Sequence, residues 1–460
     1  MSVLAVALDL GSTRVKCAVL DSTTGLVDVR ADNAPSLTGT GLVRECDALD
    51  YFETARELLA QTIDGLPGEV PVGIASQRSS FLLWKADTGD PVTPMISWQD
   101  RRALEWCETH AQYDAELVRQ TGLPMSPHYA GPKLAHLMTV DETLARAVDT
   151  GELRFGTLET YFLWRSTVSR AHVTDLSMAA RTLMADPRTG AWSAKWLQAF
   201  GVSTTLLPRV VSTRGRREAL RGGGVVTASV SDQAASVLAL DGTPRGVLVN
   251  LGTGGFVTVR TGETMTLVDG YLSGPLLAEP NGAIEYAVEG TINGIGTTLA
   301  SAPRATLTTT TQDPVPGVFC SAESSGLGAP FWRANVPVAF SRPETNLNAA
   351  NHRRVIIEGI VFRVAGITRA LCGPRLKHPL VLSGGLASDR FLVQALCDCL
   401  QHPVEVSKEQ ELTLLGAARL ASGTMGETGR GTRVLPASHS YLPQKFLQWQ
   451  KWMKTVLAGV

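Results

Sequence analysis

Two short glycine-rich phrases, one near the N-terminus and one in mid-chain, have residue types suited to binding phosphate. Residues 9–14 read Asp-Leu-Gly-Ser-Thr-Arg and residues 250–254 read Asn-Leu-Gly-Thr-Gly, each after an apolar strand-like run. Each phrase predicts a β-hairpin with a small, hydroxylated tip, where successive backbone N–H groups form a concavity for phosphate oxygens. Either phrase alone is also typical of an ordinary turn. The pair predicts two similar domains that hold a nucleotide's phosphates between them.

Two carboxylates occupy positions where phosphoryl transfer could use them. Asp9 ends the first predicted strand beside the phosphate hairpin, and Mg²⁺ prefers few protein carboxylates together with phosphate oxygens. In residues 230–235, Asp232 follows a β-branched run and precedes a helical pattern, which suits a general base pointing into a cleft. The competing interpretations are a turn cap for Asp9 and a helix N-cap for Asp232.

Polar clusters follow two further strand-like runs. Gln77 and Arg78 come just after the β-branched run 70–75, and Trp98 begins a cluster of charged residues at 99–102. Polar groups at strand ends favour ligand sites in α/β folds. The second cluster is equally typical of a helix start with surface ion pairs.

The composition and the absence of several motifs exclude some classes of enzyme and of binding partner. The sequence contains no G-x-x-x-x-G-K-[ST], G-x-G-x-x-G, H-E-x-x-H or G-x-S-x-G phrase. A formal net charge of −1, with 18% charged residues, gives no field that favours nucleic acid, and the arginine-rich stretch 209–221 is predicted to be a solvated loop. The longest apolar runs are too short to span a membrane, no signal-peptide pattern is present, and seven scattered cysteines indicate a cytoplasmic, reduced protein. The sequence leaves a homo-oligomer open.

Strand-like and helical patterns alternate along the chain, which predicts α/β layers. Helices are expected over 49–63, 355–371, 391–400 and 412–420, and strands over 70–75, 380–383 and 404–406. A length of 460 residues predicts two domains. We place them at 1–243, with the sugar or polyol pocket, and at 244–460, with the adenosine side.

The ordered set of phrases resembles the FGGY carbohydrate kinases, and within them most closely the glycerol-kinase branch. The resemblance covers nearly the whole chain. The matching phrases are residues 9–13, 77–78, 98–102, 232–233, 252–256, 326–332, 384–389 and 415–420. The resemblance implies two actin-like (ribonuclease H-like) α/β domains flanking an ATP and substrate cleft. It also implies ATP-dependent phosphorylation of a small polyol or sugar.

Residue roles follow from the resemblance. It implies that Asp232 is the catalytic base and that Asp9 and Asp232 hold Mg²⁺. The expected substrate-binding residues are Gln77, Arg78, Ser79, Trp98, His128, Asp232, Gln233 and Phe256. The expected ATP-binding residues are Gly11, Ser12, Thr13, Arg14, Gly252, Thr253, Gly254, Gly296, Gly384, Gly385 and Asp389.

Two departures from the glycerol-kinase phrases concern the substrate pocket. Ser79 stands where that branch has a glutamate that accepts hydrogen bonds from polyol hydroxyls, and His128 stands where it has a tyrosine. These departures predict a larger polyol or ketose in place of glycerol. The alternatives are a ketopentose or tetritol kinase, or a non-catalytic, actin-like ATP-binding regulatory module.

Overall fold

The chain forms two α/β halves, each built on one mixed β-sheet. The computed structural model describes residues 2–240, 246–424 and 431–459. The boundary predicted between residues 243 and 244 lies outside the described residues. Within the described ranges no helix is long and apolar enough to cross a membrane.

The N-terminal half begins with a hairpin and continues through alternating strands and helices. Its strands are β1 (Val3–Leu10), β2 (Arg14–Asp21), β3 (Gly25–Asn33), β4 (Glu45–Cys46), β5 (Pro71–Ser76), β6 (Phe81–Lys85), β7 (Met95–Ile96), β8 (Leu153–Thr157), β9 (Val173–Asp175), β10 (Ala185–Asp186), β11 (Ala191–Trp192), β12 (Arg209–Val211), β13 (Arg214–Ala219) and β14 (Val225–Ser231). Its helices are α1 (Ala48–Ile63), α2 (Leu104–Thr109), α3 (Asp114–Thr121), α4 (Ala130–Val140), α5 (Glu142–Asp149), α6 (Leu158–Ser166), α7 (Leu176–Ala179), α8 (Ala194–Phe200) and α9 (Asp232–Leu238).

The C-terminal half repeats this plan with longer helices. Its strands are β15 (Val247–Leu251), β16 (Gly255–Gly262), β17 (Leu272–Ala278), β18 (Ile284–Ile292), β19 (Leu380–Ser383), β20 (Val404–Val406) and β21 (Thr432–Val434). Its helices are α10 (Ile295–Ser301), α11 (Ala349–Cys372), α12 (Arg390–Leu400), α13 (Leu412–Ser422) and α14 (Leu442–Ala458).

The two main sheets share a strand plan. The N-terminal sheet has the order β13-β14-β5-β1-β2-β3, and the C-terminal sheet has the order β17-β18-β16-β15-β19-β20-β21. In each sheet the first strand pairs antiparallel with the second and parallel with a later strand: β1 with β2 and β5, and β15 with β16 and β19. Both predicted hairpins are therefore confirmed, at the carboxyl end of the first strand of each half.

Register brings distant parts of the N-terminal half to one sheet edge. Leu10, Ser76 and Ser231 are register partners across β1, β5 and β14, and each is the last residue of its strand. Carboxyl ends of parallel strands share one edge of a sheet, where ligands bind in open α/β folds. The residues that follow these three strands therefore meet at that edge.

Helix α13 of the C-terminal half packs on the N-terminal sheet and on α9. Two glycines permit this close approach. A Cβ added at Gly73 would lie 2.0 Å from the carbonyl oxygen of Ala417, and one at Gly416 would lie 1.9 Å from that of Ala235. The surrounding buried cluster consists largely of alanines from both halves. Small side chains on both sides thus bring the two backbones into contact.

The predicted elements occur close to their expected bounds, with one clear exception. Residues 209–221 were expected to be a solvated loop, but 209–211 form β12 and 214–219 form β13 at the edge of the main sheet. The loop prediction is wrong because β13 is an edge strand rich in charged residues, in which exposed positions alternate with half-buried ones. Charged edge strands prevent pairing with other chains, and in sequence they look like loops.

Candidate active site

The first hairpin tip is held from beneath by buried side chains. The Gly11 carbonyl accepts hydrogen bonds from the Tyr51 hydroxyl at 2.6 Å and from Gln77 Nε2 at 3.2 Å. A Cβ at Gly11 would lie 2.5 Å from the carbonyl oxygen of Arg14, so the tight tip requires glycine. Three predicted phosphate-binding residues are half-buried or exposed at this tip: Ser12, Thr13 and Arg14. The buried Gln77 side chain therefore supports the hairpin from beneath.

The second hairpin packs against the start of α10. Gly252 N donates to Gly254 O at 2.8 Å, and Gly296 N donates to Thr253 O at 2.9 Å. A Cβ at Gly296 would lie 2.6 Å from Gly252 O and 2.8 Å from Thr253 Cα. The hairpin and the helix N-terminus therefore form one close-packed unit, with Thr253 exposed at its tip.

The loop after β19 completes this edge of the C-terminal sheet. Gly384 has a φ of +88°, and a Cβ there would lie 2.4 Å from Leu251 O. Gly385 begins a short 3₁₀ turn with open space beside its Cα. Asp389 caps α12, accepting from two backbone N–H groups, and its second oxygen accepts from Arg353 at 3.0 Å. The structure thus gathers the predicted glycines together but gives Asp389 a capping role.

Asp232 is the first residue of α9, immediately after β14. Ser231 occupies the N-cap position without a side-chain hydrogen bond to the helix, so Asp232 is not the cap. Its side chain is 28% exposed, and Oδ1 lies 3.9 Å from Arg78 Nε. Burial raises the pKa of Asp232, while the charge of Arg78 opposes that shift. The carboxylate is therefore partly desolvated, next to one guanidinium, and open to the cleft.

Asp9 lies near the carboxyl end of β1, which is separated from β14 by β5, and its Oδ1 is buried and without a hydrogen-bond partner in the described chain. Burial and the charge of Asp232 raise its pKa to about 8, with Lys16 partly opposing them. A buried, unpartnered carboxylate oxygen facing a second carboxylate suits a divalent cation. No group of three or more His, Cys, Asp or Glu side chains poised to hold a metal occurs within the described ranges. Mg²⁺ needs no such group, because it completes its shell with phosphates and water.

A buried charge cluster joins the two halves beside Asp232. Arg78 donates to both oxygens of Glu289, at 2.9 and 3.1 Å, and Arg181 Nη2 lies 3.5 Å from the same carboxylate. Although burial raises the pKa of Glu289, Arg78 and Arg181 outweigh it and hold that pKa at about 2. Sequence reasoning missed Glu289 and Arg181. The available signal was a charged residue within a mostly apolar run, with Arg181 in residues 178–184 and Glu289 in residues 286–290.

A small, partly open cavity lies between the halves at this cluster. Arg78 and Gln233, two of the predicted substrate-binding residues, line it together with Arg181, Ser177, Thr258 and Glu289. Ser79 does not line it. The side chain of Ser79 is fully buried, donates to the Arg181 carbonyl at 3.1 Å, and has a φ of +66°.

Two predicted aromatic residues form a wall near the cluster. The rings of Trp98 and His128 lie 5.4 Å apart between centroids. Burial lowers the pKa of His128 to about 3, and the charges of Lys133, Arg78 and Arg181 add to that effect, so His128 is neutral at physiological pH. Phe256 lies two residues from Thr258 on β16, on the sheet face that carries Glu289. Trp98, His128 and Phe256, like Asp232, are not among the residues that line the cavity itself, so their contact with substrate stays a prediction.

Comparison with known proteins identifies the family. Residues 4–225 match the N-terminal domain of the FGGY family of carbohydrate kinases, and residues 247–425 match its C-terminal domain. The chain belongs to the FGGY family of carbohydrate kinases. It is an ATP-dependent carbohydrate kinase.

Individual relatives of this FGGY kinase agree with that assignment. It is 29% identical to the glycerol kinase of Escherichia fergusonii over 448 residues, covering 92% of this chain and 89% of the relative. Its fold matches the structure of Plasmodium falciparum glycerol kinase with ADP, with a TM-score of 0.86, 22% identity and 99% coverage of both chains. It also matches Lactobacillus acidophilus gluconate kinase, with a TM-score of 0.85, 19% identity, and coverage of 99% and 98%. The two actin-like domains predicted from the sequence are confirmed.

Proposed function

We propose that this FGGY kinase transfers the γ-phosphoryl group of Mg²⁺–ATP to a hydroxyl of a small polyol or sugar, with Asp232 as general base. The main observation in support of this proposal is the position of Asp232. It is a partly desolvated carboxylate at the sheet edge that also carries Asp9, the first hairpin and Arg78. Asp232 accepts the proton of the substrate hydroxyl as its oxygen attacks the phosphorus in line. Positioning and charge stabilisation provide most of the rate, and proton transfer supports them.

The phosphates would lie between the two hairpins. Ser12, Thr13 and Arg14 offer hydroxyl, backbone and guanidinium groups from one half, and Thr253 and Gly254 offer theirs from the other. Asp9 and Asp232 would hold Mg²⁺, which neutralises charge on the phosphates. Cation binding also relieves the repulsion between the two carboxylates that raises the pKa of Asp9. The adenosine would lie against the glycine loops at Gly296 and Gly384.

The substrate pocket would be formed by both halves. Arg78 and Gln233 line the cavity from the proposed N-terminal domain 1–243, and Glu289 and Thr258 line it from the proposed domain 244–460. Glu289 provides a carboxylate beside Arg78, although Ser79 is neutral. The sequence departures at positions 79 and 128 are the basis on which we propose a polyol or ketose larger than glycerol, with a ketopentose or tetritol as the specific alternatives. A cytoplasmic location agrees with seven cysteines that are all free thiols.

The decisive experiment replaces Asp232 by asparagine, which keeps the shape and removes the proton acceptor. We expect kcat to fall by ~10²–10⁴-fold, the usual contribution of a general base, while ATP affinity without Mg²⁺ is retained. Phosphorylated product is measured in a coupled ADP-release assay with a panel of C3 to C6 polyols and ketoses. Asp9→Asn is the comparison variant, because it should abolish the dependence of nucleotide affinity on Mg²⁺. Turnover near wild type in Asp232→Asn would place the base elsewhere.

A further inference from the structure

We propose that Asp175 is a positioning residue that links the candidate base Asp232 to strand β17 of the C-terminal half through buried hydrogen bonds. The proposal rests on the proposed function, because it requires Asp232 to be the base. Asp175 ends β9, lies outside the cavity lining, and is fully buried.

The first arm of this network runs from Asp175 to the residue before Asp232. Ser177 Oγ donates to Asp175 Oδ1 at 3.0 Å and accepts a hydrogen bond from Ser231 N at 2.8 Å. Because the hydroxyl proton of Ser177 is engaged by Asp175, an oxygen lone pair remains for the Ser231 N–H. Asp175 thereby orients the acceptor that holds the backbone N–H of Ser231, the residue before Asp232.

The second arm runs from Asp175 to the C-terminal half. Thr213 Oγ1 donates to Asp175 Oδ2 at 3.0 Å and accepts from Ala278 N at 3.0 Å, while Thr213 N donates to Ala278 O at 2.8 Å. Ala278 is the last residue of β17. Each oxygen of the Asp175 carboxylate therefore accepts a hydrogen bond from a hydroxyl. The Ser177 hydroxyl connects it toward the base, and the Thr213 hydroxyl connects it to the C-terminal half.

Helix capping alone does not account for Asp175. It does cap α7, accepting from Ser177 N and Met178 N at 3.0 and 3.1 Å, but α7 has only four residues. A buried carboxylate is costly to desolvate, whereas serine or asparagine would cap the helix without a charge. Burial raises the pKa of Asp175 only to about 6, so it is ionised at neutral pH and accepts all four hydrogen bonds.

This connection has a mechanistic consequence. Three hydrogen-bonding side chains connect β17 to the residue before Asp232. Contact between the halves and alignment of the base are therefore linked. Phosphoryl transfer depends steeply on alignment, and a misplacement of about 1 Å can cost ~10²-fold in rate. The network would therefore favour base alignment when the halves are in contact.

The first test is a double-mutant cycle between Ser177→Ala and Asp232→Asn. Ser177→Ala leaves the two backbone caps on Asp175 in place and should lower kcat by ~10-fold, with the KM for ATP unchanged. In the Asp232→Asn background it should have no further effect, because it acts through the base. Ser229→Ala is the matched control. It removes a buried hydroxyl from β14, the strand that leads to Asp232. That hydroxyl is bonded to Arg216, and its loss should leave kcat unchanged.

The outcomes separate the two proposals. Full turnover in Asp232→Asn would overturn both the base and its positioning. Suppose that Asp232→Asn lowers kcat as expected, but Ser177→Ala lowers kcat by the same factor in the wild-type and in the Asp232→Asn backgrounds. Only the positioning role then fails. A rise in the carbohydrate KM without a fall in kcat would make Ser177 a direct substrate contact and would also overturn positioning.

The second arm is tested by Thr213→Val, which keeps the side-chain shape and removes the hydroxyl. We expect a lower kcat and a larger fraction of ATP hydrolysed without product, because contact between the halves no longer aligns the base. ADP and phosphorylated carbohydrate are quantified in the same reaction. A wild-type ratio of product to ADP, together with a wild-type kcat, would show that β17 does not act through Asp175.

Discussion

Arg78 and Glu289 form a bidentate ion pair across the cleft. Nη1 and Nη2 of Arg78 lie 2.9 and 3.1 Å from the two carboxylate oxygens of Glu289. Arg78 follows β5 of one half and Glu289 lies in β18 of the other. Both side chains are largely buried, at 14% and 5% exposure. The pair therefore joins the halves at the cavity, where it also sets the charge that a substrate meets.

Glu289→Gln should weaken both folding and substrate binding. The change leaves the buried Arg78 and Arg181 without their carboxylate, and breaking a buried pair typically costs ~3–5 kcal/mol. We expect the free energy of unfolding in urea to fall by about 3 kcal/mol and the carbohydrate KM to rise. The control is Glu279→Gln, which breaks the more exposed cross-cleft pair with Arg214 and should cost ~1 kcal/mol or less. Equal losses in both variants would contradict a special role for the Arg78–Glu289 pair.

The sequence predicted the local parts of this site and missed the pair between the halves. Hairpin tips and strand–helix junctions are specified by neighbouring residues, so Gly11, Thr253 and Asp232 were found from short phrases. The Arg78–Glu289 contact spans 211 positions, and no local pattern encodes it. Ser79 was predicted to face the substrate, but its left-handed backbone and its bond to Arg181 turn the side chain into the core. That orientation depends on tertiary packing.

Gly296→Ala should weaken ATP binding. The added Cβ would meet Gly252 O at 2.6 Å and Thr253 Cα at 2.8 Å, both backbone atoms, so the phosphate hairpin must shift. We expect a clear rise in the ATP Kd, measured by calorimetric titration. Gly366→Ala in α11 is the matched control, since its Cβ would have no atom nearer than 4.0 Å. That control should bind ATP normally and gain ~0.5–1 kcal/mol of helix stability. Normal ATP affinity in Gly296→Ala would contradict the close-packed hairpin.

The buried Lys133 should make the free energy of unfolding depend on pH. It is fully buried and donates to Ser97 O at 2.7 Å, and burial lowers its pKa from 10.5 to about 7, against the opposing charge of Asp100. Between pH 7 and about 10 the unfolded chain therefore binds more protons at this site than the folded one. Stability rises with pH under that condition. Below pH 7 both states are protonated and the contribution is constant.

The measurement compares wild type with Lys133→Met across pH 6–10. The free energy of unfolding of wild type should rise relative to the variant from pH 7 to 10, with no relative change from pH 6 to 7. Lys195→Met removes a half-exposed lysine and controls for the loss of one positive charge. Parallel profiles of wild type and Lys133→Met would mean that Lys133 stays protonated in the folded protein.

Substrate choice provides the remaining prediction. Wild-type enzyme should use glycerol poorly, because neither Ser79, whose side chain lies in the core, nor the neutral His128 supplies the carboxylate acceptor that the glycerol-kinase phrase has at position 79. A site whose polar groups stay unpaired with a ligand rejects it by up to ~10⁴–10⁵-fold. The kcat/KM values for C3 to C6 polyols and ketoses test this directly. Glycerol as the best substrate in that panel would contradict the prediction.

The variants Ser79→Glu and His128→Tyr restore the residue types of the glycerol-kinase phrases. Ser79→Glu places a carboxylate at a buried position with a φ of +66°, so it should destabilise the fold as well as shift relative kcat/KM toward glycerol. His128→Tyr replaces a ring that packs on Trp98 and should shift selectivity with less loss of stability. The double variant should favour glycerol most, since an acceptor and a hydroxyl are both added near Arg78. If every substrate changes by the same factor, positions 79 and 128 do not discriminate between substrates.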